Sequence, residues 1–259
     1  MGDRKGSPFA FLGLVLAASV PAYALNSCPA PRRRMPLGLP PSAVMIVVPA
    51  ATAAFLAHRE SGPDGLRDLV RTLFRFPPAT AAVAVVPAVH VLALALDEPR
   101  RVEPVVVVKQ KPRQSPAHVM RRAATVLPVY WAGAFPEELG WTAYATAPLQ
   151  RRFGVAGAGA IIGAAWAAWH VIPYRSMGRS GAWIVLQSAA TVATRVIMGH
   201  VFTATGGALG PAVLLHAASN TMIDALPGAT STRRTAIAAG LATAVAAVLS
   251  FRGRRICLR

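Results

Sequence analysis

Charge is scarce in this 259-residue chain: 14% of its residues are Asp, Glu, Lys or Arg, against about 25% in ordinary soluble domains. Acidic residues are scarcest, 10 against 27 basic ones, for a net charge of +17. Aromatic residues make up 7% and form no basic-aromatic stacking platform of the kind single-stranded nucleic acids require, which excludes nucleic-acid binding despite the positive charge. The two cysteines, Cys28 and Cys257, stand at opposite ends and in no CxxC pair, so neither a disulfide framework nor a cysteine-based zinc site is available. An HExxH segment, an internal repeat and a separate soluble domain are also absent.

What fills the chain is apolar: 54% of residues are hydrophobic and the mean hydropathy is +0.46. Apolar runs of membrane-crossing length, roughly 17 to 25 residues, recur at about 8–25, 42–58, 77–96, 118–150, 154–173, 181–204, 207–226 and 234–251. The expected fold is therefore an all-α, polytopic membrane helix bundle of about eight transmembrane helices. The fourth run is too long for one straight crossing, and Pro128 and Pro136 each remove a backbone donor, so a bent or split helix is expected there. The first run has two readings, a retained helix or a cleaved secretory signal over residues 1–24, because Arg4 and Lys5 precede it and Ala22-Tyr23-Ala24 closes it.

The cations cluster at span ends: Arg32 to Arg34, Arg67, Arg71, Arg75, Arg100, Arg101, Arg121, Arg122, Arg151, Arg152, Arg233 and Arg234. Placed there, they anchor helices at the interface, and anionic membrane lipids are the expected electrostatic partner. The cations split evenly between the two sides of an eight-span chain, so orientation stays open. Gly65 to Phe76 alternates apolar and arginine faces at helical spacing and is expected to lie in the interface plane. Asp97 to Pro116 is polar, proline-broken and expected to be the longest loop. The chain divides into 1–117 (N-terminal helices, interfacial helix and loop), 118–226 (a core carrying the polar motifs) and 227–259 (a last helix and basic tail).

Three apolar runs carry polar side chains that lipid would not tolerate. A carboxylate at the centre of a membrane helix costs roughly 2.5 to 3.5 kcal/mol on insertion scales, so such groups must face one another or a wet cavity. Glu137 and Glu138 are adjacent and point about 100° apart on a helix, so they can serve different neighbours. Trp166 and His170 share one face at i and i+4, as do His216 and Asn220. Either pair alone is explained by helix-to-helix hydrogen bonding. Together with two glutamates, on three separate runs, they suggest chemistry inside a membrane.

These motifs resemble those of the CPBP intramembrane proteases, the group of CAAX prenyl endopeptidases and their bacterial relatives, also called the Abi family. EELGW at Glu137 to Trp141 is similar to the family's EExxxR block, WAAWH at Trp166 to His170 to its FxxxH block, and HAASN at His216 to Asn220 to its HxxxN block; the resemblance covers about residues 118–225. It implies a hydrolase, an endopeptidase integral to the membrane, multi-pass and in a bacterial plasma membrane, acting on a membrane-associated peptide or protein substrate. By resemblance, Glu137 is the general base, His170 shares the water's proton, and His216 and Asn220 donate to the oxyanion. Thr142 stands where the family pattern has the arginine that holds the second glutamate. Arg195, the one cation deep in a later span, is expected to take its place beside Glu138, and Trp166 replaces the family's phenylalanine.

The same Glu137, His170 and His216 could instead hold zinc, since His₂Glu is a catalytic zinc set, so the cofactor is none or zinc. Two further readings remain: an inactive relative acting as membrane scaffold or immunity factor, which Thr142 favours, and a small transporter with a polar midplane site.

Overall fold

The computed structural model describes residues 7–27, 40–72, 82–97 and 115–256, the side chains of residues 27 and 253–256 excepted. Cys28, Cys257, Arg32 to Arg34, Arg75, Arg100, Arg101, most of the expected Asp97–Pro116 loop and the end of the expected interfacial helix lie outside the described residues.

The described residues are helical, without a strand. The chain runs α1 (Pro8–Ala18), α2 (Val20–Ala24), α3 (Val48–Arg71, entered through a 3₁₀ turn at Pro41–Val47), α4 (Val85–Leu96), α5 (Pro116–Glu138), a π-helical segment (Leu139–Tyr144), α6 (Thr146–Ser176), α7 (Gly181–Ala204), α8 (Leu209–Ala225) and α9 (Thr232–Ile256). Helices thus stand at all eight expected spans, but the spans are not equivalent. By length and composition, the stretches Pro41–Arg71, Thr146–Ser176, Gly181–Ala204 and Thr232–Arg252 suffice to cross a membrane, whereas the apolar helices at Pro8–Ala24 and Ala82–Leu96 are shorter. The chain is an integral membrane protein built as a helical bundle.

Helix boundaries follow local chemistry. Ser115 caps α5 by accepting from the His118 N–H at 3.2 Å, with Pro116 in the first turn; Ser180 caps α7 through Trp183 in the same way. Between α7 and α8, Gly206 and Gly207 adopt φ of 64° and 81°, the left-handed conformation that stops a helix at little cost. Gly62, at φ 58°, breaks α3 just before Pro63, separating the expected span from the expected interfacial helix.

The expected distortion of the fourth run lies elsewhere than predicted. α5 passes through Pro128 and Pro136 with helical backbone throughout, and the irregularity falls immediately after the two glutamates, where the Ala145 N–H reaches back five residues to the Gly140 carbonyl at 3.1 Å. Such π turns are frequent at functional sites. The boundary with the next span is Gly154 (φ 70°), which divides α6 into a short piece and the long helix bearing Trp166 and His170.

Two apolar clusters hold the bundle. One joins Phe11, Val15, Leu56, Trp141, Tyr144, Leu149 and Trp169, so the first apolar run packs as a bundle helix around the π segment. The other joins Val86, Val89, Ala93, Ile197, Leu215 and Ala242 from α4, α7, α8 and α9. α6 and α7 approach most intimately. A Cβ on Gly159 would meet the Val196 Cα at 2.6 Å, and one on Gly163 the Val192 Cα at 2.7 Å, a small-xxx-small contact of the kind that joins membrane helices.

Candidate active site

Glu137 and Glu138 end α5, where the π segment, rather than a regular helix, receives them. Both are buried, at 7% and 0% exposure, and they do face different neighbours. Glu138 accepts two parallel hydrogen bonds from Arg195 of α7, Nη1 to Oε2 at 2.7 Å and Nη2 to Oε1 at 2.8 Å. Its Oε2 also accepts from the Thr142 hydroxyl at 2.5 Å, and its Oε1 lies 2.8 Å from His216 Nδ1. Thr142, in the place of the family's arginine, therefore keeps contact with Glu138 as a neutral donor while Arg195 supplies the charge from α7. A two-pronged arginine is the donor best matched to a carboxylate.

Glu137 is held by one bond: its Oε2 accepts from the Trp166 indole Nε1 at 2.8 Å. The same indole carries the Arg195 guanidinium 3.9 Å above its ring centre and lies edge-on to His216 and His170, with ring centres 4.9 and 5.2 Å away. Trp166 is thus the plate on which both glutamate environments are assembled. A phenylalanine could offer the face but not the N–H.

The two histidines are oriented alike. His170 Nδ1 lies 2.9 Å from the Trp166 carbonyl, which can only accept, so Nδ1 carries the proton. His216 Nδ1 faces the Glu138 carboxylate, with the same consequence. Both rings thereby keep Nε2 without a partner among the described residues. Asn220, one turn beyond His216, likewise makes no hydrogen bond among the described residues. Glu137, His170, His216 and Asn220 all line one cavity of about 80 Å³. Holding a water takes roughly 10 to 15 Å³ measured with a water-sized probe, so several fit.

That cavity has further walls that the motifs did not indicate: Tyr174 on α6, Gln187, Thr191 and Thr194 on one face of α7, and His90 and Ser219 from α4 and α8. A lone threonine or histidine in an apolar run carries little signal by itself. The signal that could have found three of them is the i, i+4, i+7 spacing of Gln187, Thr191 and Thr194, which the sequence reading missed.

A zinc set would need three ligands converging at bonding distance. Among the described residues no group of three His, Cys, Asp or Glu side chains stands at such spacing, so Glu137, His170 and His216 do not fit a metal in this arrangement.

No curated protein matches the chain significantly. Residues 120–222 match the family model described as Rce1-like, type II CAAX prenyl endopeptidase Rce1-like. The matched segment contains Glu137, Glu138, Trp166, His170, Arg195, His216 and Asn220 and leaves out α1 to α4 and α9. Over this segment, less than half of its length, the chain is similar to the Rce1-like type II CAAX prenyl endopeptidases, the group its motifs resemble.

Proposed function

We propose that the chain is an intramembrane endopeptidase that hydrolyses a peptide bond with a water activated by Glu137. The observation that carries this is the unequal treatment of two adjacent buried carboxylates. Glu138 is saturated by Arg195, Thr142 and His216, whereas Glu137 is held through one oxygen and its other oxygen is free to take a proton at the cavity. A general base needs a positioned carboxylate with an unoccupied lone pair beside the water.

In the proposed step the water oxygen bonds to the scissile carbonyl carbon, its proton passes to Glu137, and the C–N bond then breaks as the amine departs with a proton returned from Glu137. His170, through Nε2, steadies the water. His216 Nε2 and the Asn220 amide donate to the developing oxyanion, each such donor being worth about 10²- to 10³-fold in rate. For His216 to donate from Nε2 as well as Nδ1 it must carry both protons. Glu137, Glu138, Arg195 and His216 then sum to zero charge, a state a membrane interior can hold.

The inactive-relative reading rested on Thr142, and the Arg195 ion pair weakens it by supplying the missing charge. The transporter reading has no comparable support. The partners proposed are membrane lipids and a membrane-associated peptide substrate, in a bacterial plasma membrane; the family description makes a peptide with a prenylated cysteine near its C-terminus the first to try. The test is to reconstitute the chain in vesicles with quenched-fluorescence peptides, prenylated and unprenylated, and to identify the new N-terminus by mass spectrometry. Cleavage by wild-type protein that disappears in His170→Ala and His216→Ala supports the reading, and cleavage indifferent to both contradicts it.

A further inference from the structure

Among the cavity's walls, His90 belongs to no motif and comes from outside the matched segment. α4 reads VVPAVHVLALAL, so His90 is its one side chain with hydrogen-bonding capacity. It follows Val86 and precedes Ala93 on an inward stripe whose apolar members, Val86, Val89 and Ala93, are buried. Its Nε2 lies 3.1 Å from the Ser219 hydroxyl, and Ser219 is the neighbour of Asn220 on α8. Polar glue between α4 and α8 would account for Nε2. It does not account for Nδ1, which has no partner among the described residues and is not one of the buried, sealed-off atoms, those being Trp141 Nε1, Arg179 Nε, Trp183 Nε1 and Arg195 Nε.

His90 is also firmly placed. Seven residues on, Asp97 caps the end of α4 and is gripped by Arg234 of α9, Nε to Oδ2 at 3.0 Å, and by Arg233 at 3.2 Å. Ser219 fixes the ring from one side and this clamp fixes the helix that bears it. The ring therefore presents Nδ1 in a fixed place, which is what a recognition group requires.

We propose that His90 is a substrate-binding residue: anchored by Ser219 through Nε2, it hydrogen-bonds the peptide backbone through Nδ1. The chemistry of the remaining wall selects this ligand. The wall's polar groups, Gln187, Thr191 and Thr194 on α7 with Ser219 and Asn220 on α8, are all uncharged donors and acceptors set beside the apolar Ala190, Met198 and Ile223, matched to neutral amides rather than to an ion or an acidic group. Together with His90 they line one cavity, where the backbone amides of a non-helical stretch of substrate can be satisfied, an obligation the bilayer imposes on any such stretch. This rests on the endopeptidase reading above and adds a residue contributed by α4.

The test uses full-length protein in vesicles and the quenched-fluorescence peptide, with His90→Ala, His90→Gln and His90→Asn compared for kcat and KM. Peptide binding is also read by anisotropy on a Glu137→Gln background. Asparagine places its amide near the position of Nδ1 and glutamine near that of Nε2. The expected result is KM and anisotropy Kd raised about 3- to 10-fold by Ala and by Gln, the range of a single neutral hydrogen bond, with kcat within twofold and Asn restoring most of the loss. An unchanged KM in His90→Ala, or rescue by Gln and not by Asn, overturns it, since the latter marks Ser219 bonding as the whole role. Should Glu137→Gln cleave like wild type, the mechanism proposed for Glu137 falls, while the His90 comparison still reads directly from KM.

Discussion

Arg195 and Glu138 form a two-pronged ion pair in the bundle interior, their side chains 2% and 0% exposed. Glu138 also carries the His216 contact, and Arg195 lies over Trp166, which in turn holds Glu137. The pair is therefore the post from which both the histidine and the indole are hung, and it connects two departures from the family's motifs, Thr142 and Trp166, as one compensated arrangement.

Removing one partner of a buried ion pair leaves a charge without compensation, at a cost of about 3 to 5 kcal/mol, whereas removing both is far less harmful. Arg195→Met is expected to lower thermal stability strongly in detergent, and Glu138→Gln combined with Arg195→Met to recover most of it. A double-variant loss equal to the sum of the losses in Glu138→Gln and Arg195→Met alone would show that the two residues act separately.

Trp166→Phe keeps an aromatic face for Arg195 but deletes the donor to Glu137 Oε2. A hydrogen bond to a charged group is worth about 1.5 to 3 kcal/mol, so kcat is expected to fall roughly 10- to 100-fold, less than in Glu137→Gln, with little change in folding. The check is steady-state cleavage beside a thermal melt.

The α6–α7 crossing carries the site across helices. A Cβ on Gly163 would lie 2.7 Å from the Val192 Cα and 3.2 Å from the Arg195 Cβ, so Gly163→Ala must push α7 outward at the level of Arg195. Stability and activity should fall together, whereas Gly240→Ala, where a Cβ meets nothing within 4 Å, should leave both intact. The comparison is made by thermal melts and cleavage rates on the same preparations.

Glu137, His170 and His216 are not grouped at metal-ligand spacing. Exhaustive chelation followed by metal analysis is accordingly expected to leave activity unchanged; loss of cleavage restored by added zinc would contradict the arrangement described.

Much of this was legible in the chain. The apolar runs located the helices, because span length is set by bilayer thickness, and Glu137, His170, His216 and Asn220 stood out as polar groups that lipid rejects. Arg195 was legible for the same reason: a lone cation deep in a span needs a partner, and Glu138 lacked one. The site of the backbone distortion was not, because α5 runs through Pro128 and Pro136 with its backbone helical, while the π turn at 139–144 fits Gly140 closely against α1 and α3, a Cβ there meeting the Pro49 carbonyl at 2.6 Å and the Phe11 ring at 2.8 Å. His90 was hidden for a different reason. One histidine on an apolar helix says nothing until tertiary packing turns it toward the cavity.

The most direct measurement of the central claim is the cleavage rate of reconstituted Glu137→Gln protein beside wild type on the same peptide. Glutamine preserves the shape and can still accept from Trp166, but it cannot take the water's proton. The account predicts a fall of at least about 10²-fold with an unaltered thermal melt; cleavage at the wild-type rate would contradict it.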